Sequence, residues 1–364
     1  MRFNPSVAWI SLPLVLALTG CATSPYSQLE TATPTVTPAQ VAELQQAAKS
    51  PEQLGIEMHV TERGINFNGV NAIEAVENAT VPLLEIPADK PDAPGGQYRM
   101  PVITAAVNGK PGVRILLDSG SNRNLFGYTL ARNLGVPMIA GLKPVTGYGI
   151  GGAVDNYAAI INSVRIGSIE LRKAIAIIGP DAQVLNFMRG FRDSTPGMIL
   201  GVNALRGISY LTIDSLRGMV LFGATEPYLP DDTLKFMTTA PLHWVGELPA
   251  VDVSIDGRDS IPCILDTGGD YGMLLPRTQA IELDYWKPGK GSLTTSRGVA
   301  GASLGANYLI KQVRVGSETL VHVSGNTTLV GPEPGGGRVF LGNVMLRRYR
   351  LTFDFKRSIL WLER

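Results

Sequence analysis

Two stretches carry the residues best suited to chemistry. Ile115-Leu116-Leu117-Asp118-Ser119-Gly120-Ser121 and Cys263-Ile264-Leu265-Asp266-Thr267-Gly268-Gly269 each run from apolar residues into an aspartate, a small hydroxyl residue and a glycine, 148 residues apart. A carboxylate placed directly after three apolar residues is costly to bury unless it is paired or hydrogen-bonded. Two carboxylates brought close together cannot both ionise readily, so such a pair holds one proton and titrates as a unit. The pair can then serve both halves of a hydrolysis. Its ionised member takes a proton from a water that attacks a carbonyl, and its protonated member donates to the carbonyl oxygen. Gly120 and Gly268 permit a tight turn that exposes each carboxylate, and the hydroxyls of Ser119 and Thr267 could bond across a shared axis and lock the pair.

The surrounding sequence supplies matching supports for both aspartates. Val102–Val107 and Val113–Leu117 flank Asn108-Gly109-Lys110-Pro111-Gly112, which predicts a hairpin with Asn-Gly turn chemistry. Ala250–Ile255, Asp256-Gly257 and Ile261–Leu265 repeat it. Leu125, Ala131 and Leu134 match Leu274, Ala280 and Leu283 at an offset of 149, as do Gly149 and Gly152 with Gly298 and Gly301. Val164–Ser168 matches Val313–Ser317 at the same offset, Ile199-Leu200-Gly201 matches Phe340-Leu341-Gly342 at 141, and Leu211–Asp214 matches Leu351–Asp354 at 140. A near-constant offset over so long a stretch indicates duplication of a whole β domain. Residues at equivalent places near a pseudo-twofold axis face each other, which would bring Asp118 to Asp266. The expected division is 98–225 for the first lobe, 226–239 for a linker and 240–364 for the second lobe. The 41 glycines, 25 prolines and only 17% charged residues favour strands and turns over long solvated helices.

The two Asp-[Ser/Thr]-Gly turns, with Ile199-Leu200-Gly201 and Phe340-Leu341-Gly342, resemble the pepsin/retropepsin superfamily of aspartic proteases, most closely its bacterial retropepsin-like branch. The resemblance covers about 100–223 and 245–364. It implies an all-β, bilobal acid-protease fold: two duplicated retropepsin-like β-barrel lobes with the active cleft between them. It also implies an aspartic endopeptidase with Asp118 and Asp266 as the catalytic pair. Thr146 to Gly152 begins 28 residues after Asp118 and by resemblance is a flap, with Gly147, Tyr148 and Gly149 facing substrate. Ser296 to Gly301, including Gly298 and Val299, is its counterpart. The family usually has Ser, Thr or Ala after the active glycine. Ser121 fits this, whereas Gly269 does not, so a hydroxyl bond to the second carboxylate is expected to be missing. Arg123, near Asp118 in sequence, is expected to point outward. The alternative class is a non-catalytic lipoprotein that binds a peptide or envelope component in the cleft.

The chain opens with Met1-Arg2, an apolar stretch from Val7 to Leu18, and Leu18-Thr19-Gly20-Cys21, which resembles a bacterial lipobox. The resemblance implies a signal peptide over 1–20 and a lipid on Cys21. It places the protein in the bacterial cell envelope, anchored by lipid and facing the periplasm, with the outer membrane expected because Ala22 follows the cysteine. Residues 21–37 read as a tether and 38–97 as an accessory segment, either pro-like or supporting the lobes. Pro38 to Lys49 is predicted helical, capped by Thr37. Without Arg2 the chain carries 31 basic and 31 acidic residues, and no basic tract suggests nucleic acid. Cys263, in an apolar run, is expected to be a buried thiol. Gly147 to Gly152 fits G-x-G-x-x-G, but Ala153 to Val164 reads as a strand and not the helix a dinucleotide site needs. His59, His243 and His322 lack metal-ligand spacing. No cofactor and no metal are expected. The expected partners are a peptide or protein substrate and, through Cys21, the membrane, with the chain acting as a monomer.

Overall fold

The computed structural model describes residues 35–61, 64–75, 77–85, 100–149, 152–182, 197–234, 237–287, 291–298, 300–331 and 333–364. The expected signal peptide, Cys21, most of the tether and Val299 lie outside the described residues.

The chain enters through α1 (Pro38–Gln46) and α2 (Pro51–Leu54), each started by a reciprocal capping box, Thr37 with Gln40 and Ser50 with Gln53. The predicted single helix therefore ends three residues early. Lys49 is drawn instead into a parallel bridge with Ile139, its N–H bonding to the Met138 carbonyl at 3.0 Å. Four short strands follow: β1 (Glu57–Thr61), β2 (Gly64–Asn68), β3 (Ala72–Ala75) and β4 (Ala79–Pro82).

The first half continues with β5 (Val102–Val107), β6 (Lys110–Asp118), β7 (Asn124–Gly127), α3 (Tyr128–Asn133), β8 (Val145–Gly149), β9 (Gly152–Ile166), β10 (Ile169–Gly179), β11 (Gly197–Gly201), α4 (Val202–Leu205), β12 (Tyr210–Asp214) and β13 (Met219–Gly223). After β14 (Met237–Pro241) and β15 (His243–Val245), the second half repeats the order. It has β16 (Leu248–Ile255), β17 (Ile261–Asp266), β18 (Met273–Leu274), α5 (Arg277–Glu282), β19 (Ser292–Gly298), β20 (Gly301–Val315), β21 (Glu318–Thr328), β22 (Val339–Gly342), α6 (Asn343–Leu346), β23 (Arg350–Asp354) and β24 (Ile359–Glu363).

The two eight-stranded sheets have the same internal order. The first runs β10-β7-β11-β6-β5-β9 with β9 also paired to β10; the second runs β21-β18-β22-β17-β16-β20 with β20 also paired to β21 and β16. The hairpin turns obey the predicted chemistry. Asn108 and Gly109 have φ of 48° and 79°, Asp256 and Gly257 have 49° and 74°, the left-handed pair a tight hairpin requires. A third sheet joins the halves in the order β14-β24-β23-β12-β13-β4. Exchanging the halves maps β12 onto β23 and β4 onto β14. At its centre Thr212 lies opposite Thr352, their buried hydroxyls 2.8 Å apart, which marks the pseudo-twofold axis. Within the 38–97 segment, β3 extends the first sheet beside β10 and β4 extends the central sheet beside β13.

The apolar runs before the aspartates are explained by burial on both faces of their strands. Ile115 and Leu117 enter the main core while Leu116 packs with Val102, Leu125 and Ile199 on the other side. Cys263 and Leu265 likewise enter the main core, and Ile264 packs with Leu248, Leu274 and Phe340. Cys263 is fully buried, and burial pushes its thiol up, so it stays neutral.

Candidate active site

Each aspartate ends a strand held in parallel register. Asp118, at the end of β6, lies opposite Gly201 of β11, and Asp266, at the end of β17, lies opposite Gly342 of β22. The turns beyond them interlock through four symmetric hydrogen bonds. Ser119 Oγ donates to the Leu265 carbonyl (2.7 Å) and accepts from Thr267 N–H (3.0 Å); Thr267 Oγ1 donates to the Leu117 carbonyl (2.7 Å) and accepts from Ser119 N–H (3.0 Å). Both hydroxyls are buried. The small hydroxyl residue in each motif is thus the clamp that joins the two turns.

Inside the clamp the two half-buried carboxyl groups meet, close enough for the charge of Asp266 to act on Asp118. Gly120 N–H donates to Asp118 Oδ1 at 2.9 Å and Gly268 N–H to Asp266 Oδ1 at 3.0 Å. Each glycine also allows the opposite carboxylate to approach. A Cβ on Gly120 would lie 2.5 Å from Asp266 Cγ, and one on Gly268 would lie 2.4 Å from Asp118 Cγ. No side chain fits either place.

The pair is electrostatically unequal. Burial raises the Asp118 carboxyl well above the usual carboxylate range, and the charge of Asp266 raises it further. Burial also raises Asp266; the N–H groups of each turn lower their own carboxyl alike, Gly120 and Ser121 for Asp118 and Gly268 and Gly269 for Asp266, and the hydrogen bond from the Tyr271 hydroxyl lowers Asp266 alone. Asp118 therefore holds the proton and Asp266 is the member that ionises.

The hydroxyl expected to be missing from the second carboxylate is present. Tyr271, whose own ionisation is suppressed chiefly by burial and then by the charge of Asp266, donates from its hydroxyl to Asp266 Oδ2. Gly269 makes room for it: a Cβ there would lie 2.5 Å from the Tyr271 ring. Conversely, Ser121, expected to serve the first carboxylate, donates to the Arg123 carbonyl at 2.8 Å. Arg123 points outward as expected and pairs with Glu247 at 2.9 Å, and Glu247 also accepts from Asn122 Nδ2. Sequence reasoning passed over Tyr271. The signal that could have found it is a slip in the repeat offset, from 148 at Asp118 and Asp266 to 149 at Leu125 and Leu274. The second half holds one residue more than the first between the aspartate and that leucine, and Tyr271 lies in this stretch.

The two glycine-rich segments form equivalent hairpins. β8 pairs with β9 so that Gly147, Tyr148 and Gly149 face Val154, Ala153 and Gly152, and β19 pairs with β20 so that Gly298 faces Gly301. The strand β9 after the G-x-G-x-x-G pattern occupies the place where a dinucleotide site needs a helix. β8 packs against the turn Pro334–Gly336 of the second half. Val299 at the second tip lies outside the described residues. The three histidines sit apart on β1, β15 and β21, His243 near Asp252 at 3.7 Å and His59 near Glu57 at 3.7 Å.

Two half-buried aspartates thus meet on equivalent turns of the two halves. Residues 103–204 match the aspartyl protease family. The aspartyl protease match takes in Asp118, its turn, the first hairpin, and the Ile199-Leu200-Gly201 segment behind them. Among solved structures the chain is similar to the aspartic proteinase from Irpex lacteus (14% identity, TM-score 0.44, covering 79% of this chain and 97% of that one). It is also similar to a retropepsin-like aspartic protease from Rickettsia conorii (15% identity, TM-score 0.27, 35% and 89%) and to Basic 7S globulin from soybean (11% identity, TM-score 0.41, 79% and 95%). None of the curated proteins matches. The mostly β architecture with two equivalent halves expected from the repeat is the one found.

Proposed function

We propose that this chain is an aspartic endopeptidase that hydrolyses peptide bonds with a carboxylate-activated water. The observation that supports the reading is the meeting of the two aspartates across the clamp, each carboxyl packed against the glycine of the opposite turn. Asp266, ionised, takes a proton from a water whose oxygen attacks the scissile carbonyl carbon. Asp118 gives its proton to the carbonyl oxygen. The resulting gem-diol collapses as a proton passes to the leaving nitrogen, breaking the C–N bond. The clamp of Ser119 and Thr267 holds the two carboxyl groups in register, and the β8–β9 and β19–β20 hairpins act as flaps over a peptide or protein substrate. Both halves of the site come from one chain, so it acts as a monomer.

The decisive experiment exposes the full-length protein in detergent to a mixed peptide library from acid to neutral pH. Cleavage by the wild type, lost in Asp266→Asn with an unchanged urea unfolding midpoint, carries the reading. A wild type that leaves the library intact hands the site to the binding alternative. We also propose that Cys21 carries a lipid and anchors the protein in the cell envelope facing the periplasm. The support is the lipobox-like Leu18-Thr19-Gly20-Cys21. Incorporation of labelled fatty acid that persists in Cys21→Ala would refute this.

A further inference from the structure

The two turns share a backbone but differ in what touches their carboxylates. Beyond the clamp, Asp118 receives only N–H groups of its own turn, and the hydroxyl in that turn, Ser121, is spent on the Arg123 carbonyl. Asp266 receives the equivalent N–H and, in addition, a phenol. The place for that phenol is carved from two sides. A Cβ on Gly269 would come within 2.5 Å of the Tyr271 ring, and a Cβ on Gly342 would come within 2.2 Å of the Tyr271 carbonyl and 2.6 Å of its ring. Gly342 N–H also donates to the Gly272 carbonyl at 2.8 Å, and Asn343 N–H to the Gly269 carbonyl at 2.7 Å, so the rebuilt turn is pinned to the end of β22 and the start of α6 on both sides of the tyrosine.

We infer that Tyr271 is a positioning residue for the dyad: its hydroxyl, seated in the space left by Gly269 and Gly342, replaces the missing turn hydroxyl and fixes Asp266 as the ionised base and Asp118 as the acid. This rests on the endopeptidase reading for its catalytic meaning, though not for its electrostatics. A neutral donor can favour a carboxylate only when that carboxylate is charged. Both the singly and the doubly ionised dyad have Asp266 charged, so the bond assists the first ionisation and is neutral to the second. The titratable groups facing the pair are consistent with this. Cys263, beneath the turn on β17, is held neutral by burial. Asp270 lies 3.7 Å from Arg347, and Arg123 is engaged with Glu247.

The test is Tyr271→Phe, which keeps the ring and removes the donor. The acid limb of the kcat/KM profile is expected to move up by about one pH unit while the alkaline limb stays in place, with kcat falling more than KM changes. Tyr271→Leu, which fills part of the same space without a donor, is expected to move the limb in the same direction. A folded Tyr271→Phe protein whose acid limb coincides with that of the wild type overturns the inference. If Tyr271→Phe does not fold, Tyr271→Leu gives the same comparison with the wild type, and equal limbs overturn it. The same shift is read without catalysis from titration of carboxyl-13C-labelled aspartates by NMR. A wild type that cleaves no peptide then removes the endopeptidase reading alone, while an upward move of the first dyad ionisation in Tyr271→Phe supports the role of Tyr271 and an unmoved one overturns it.

Discussion

Replacing Thr267 by valine isolates what the clamp contributes. Valine keeps the branched shape at a position that is 1% exposed, so packing is nearly conserved and the loss is polar. The γ-hydroxyl gives up its bond to the Leu117 carbonyl (2.7 Å) and ceases to accept from Ser119 N–H (3.0 Å). Each buried polar group deprived of a partner costs about 1–3 kcal/mol, so the substitution, which strands two, should lower unfolding free energy by about 2–6 kcal/mol. Thr267→Ser is the control. It keeps the hydroxyl, loses one methyl and should cost about 0.5–1.5 kcal/mol. Because Ser119 Oγ makes the mirror-image pair of bonds, Ser119→Ala should fall in the same range as Thr267→Val. The two should also be non-additive by about 0.5 kcal/mol or more, since both act on one pair of turns. Urea unfolding at constant pH reads all four proteins. If Thr267→Val is indistinguishable from Thr267→Ser, the hydroxyl bonds across the axis carry no stability and the clamp is refuted.

Three further perturbations probe the same axis. Asp118→Asn removes a carboxyl whose folded-state pKa is raised. A group of that kind adds stability below its unfolded pKa and loses it as pH rises through the folded value. The variant should therefore gain on the wild type progressively above about pH 4, and a urea midpoint difference, variant minus wild type, that stays constant or falls with pH would contradict the assignment. Gly268→Ala places a methyl 2.4 Å from Asp118 Cγ and should abolish peptide cleavage at every pH, and a variant retaining wild-type kcat/KM would show that the turns do not meet as described. At the centre of the six-stranded sheet, Thr212→Val strands the buried Thr352 hydroxyl and should cost about 1–3 kcal/mol, whereas Thr212→Val with Thr352→Val should cost less than either alone. Thermal unfolding of the three proteins checks the order.

The lobes and the dyad were legible because the same physical problem is solved twice. A carboxylate after three buried residues needs a partner, and the repeat names it. The hairpins were legible because Asn-Gly and Asp-Gly carry their backbone geometry with them. What could not be read depends on contacts without a local pattern. The end of α1 is set by the bridge from Lys49 to Ile139, about ninety residues away in sequence. β4 and β14 are short strands whose only distinguishing feature is the sheet edge they meet, so β4 lies outside the lobe expected to begin at residue 98.

The misjudged second turn has a different cause. Gly269 alone predicts a carboxylate short of a hydroxyl, because the residue that normally supplies one is adjacent in sequence. Here it arrives from two positions further on, on a side chain long enough to fold back over the turn. Duplication explains why this could happen on one side only. Two identical turns around a twofold axis give two identical carboxylates, and such a pair has no reason to keep its proton on one of them. The clamp needs symmetry, because each hydroxyl bonds the other turn's backbone, and it is preserved in Ser119 and Thr267. A directed proton needs asymmetry, which must come from groups outside the clamp. The slip of one residue between Asp266 and Leu274 lies there: it leaves the interlocking backbone intact and changes only what reaches the outer oxygen of one carboxylate.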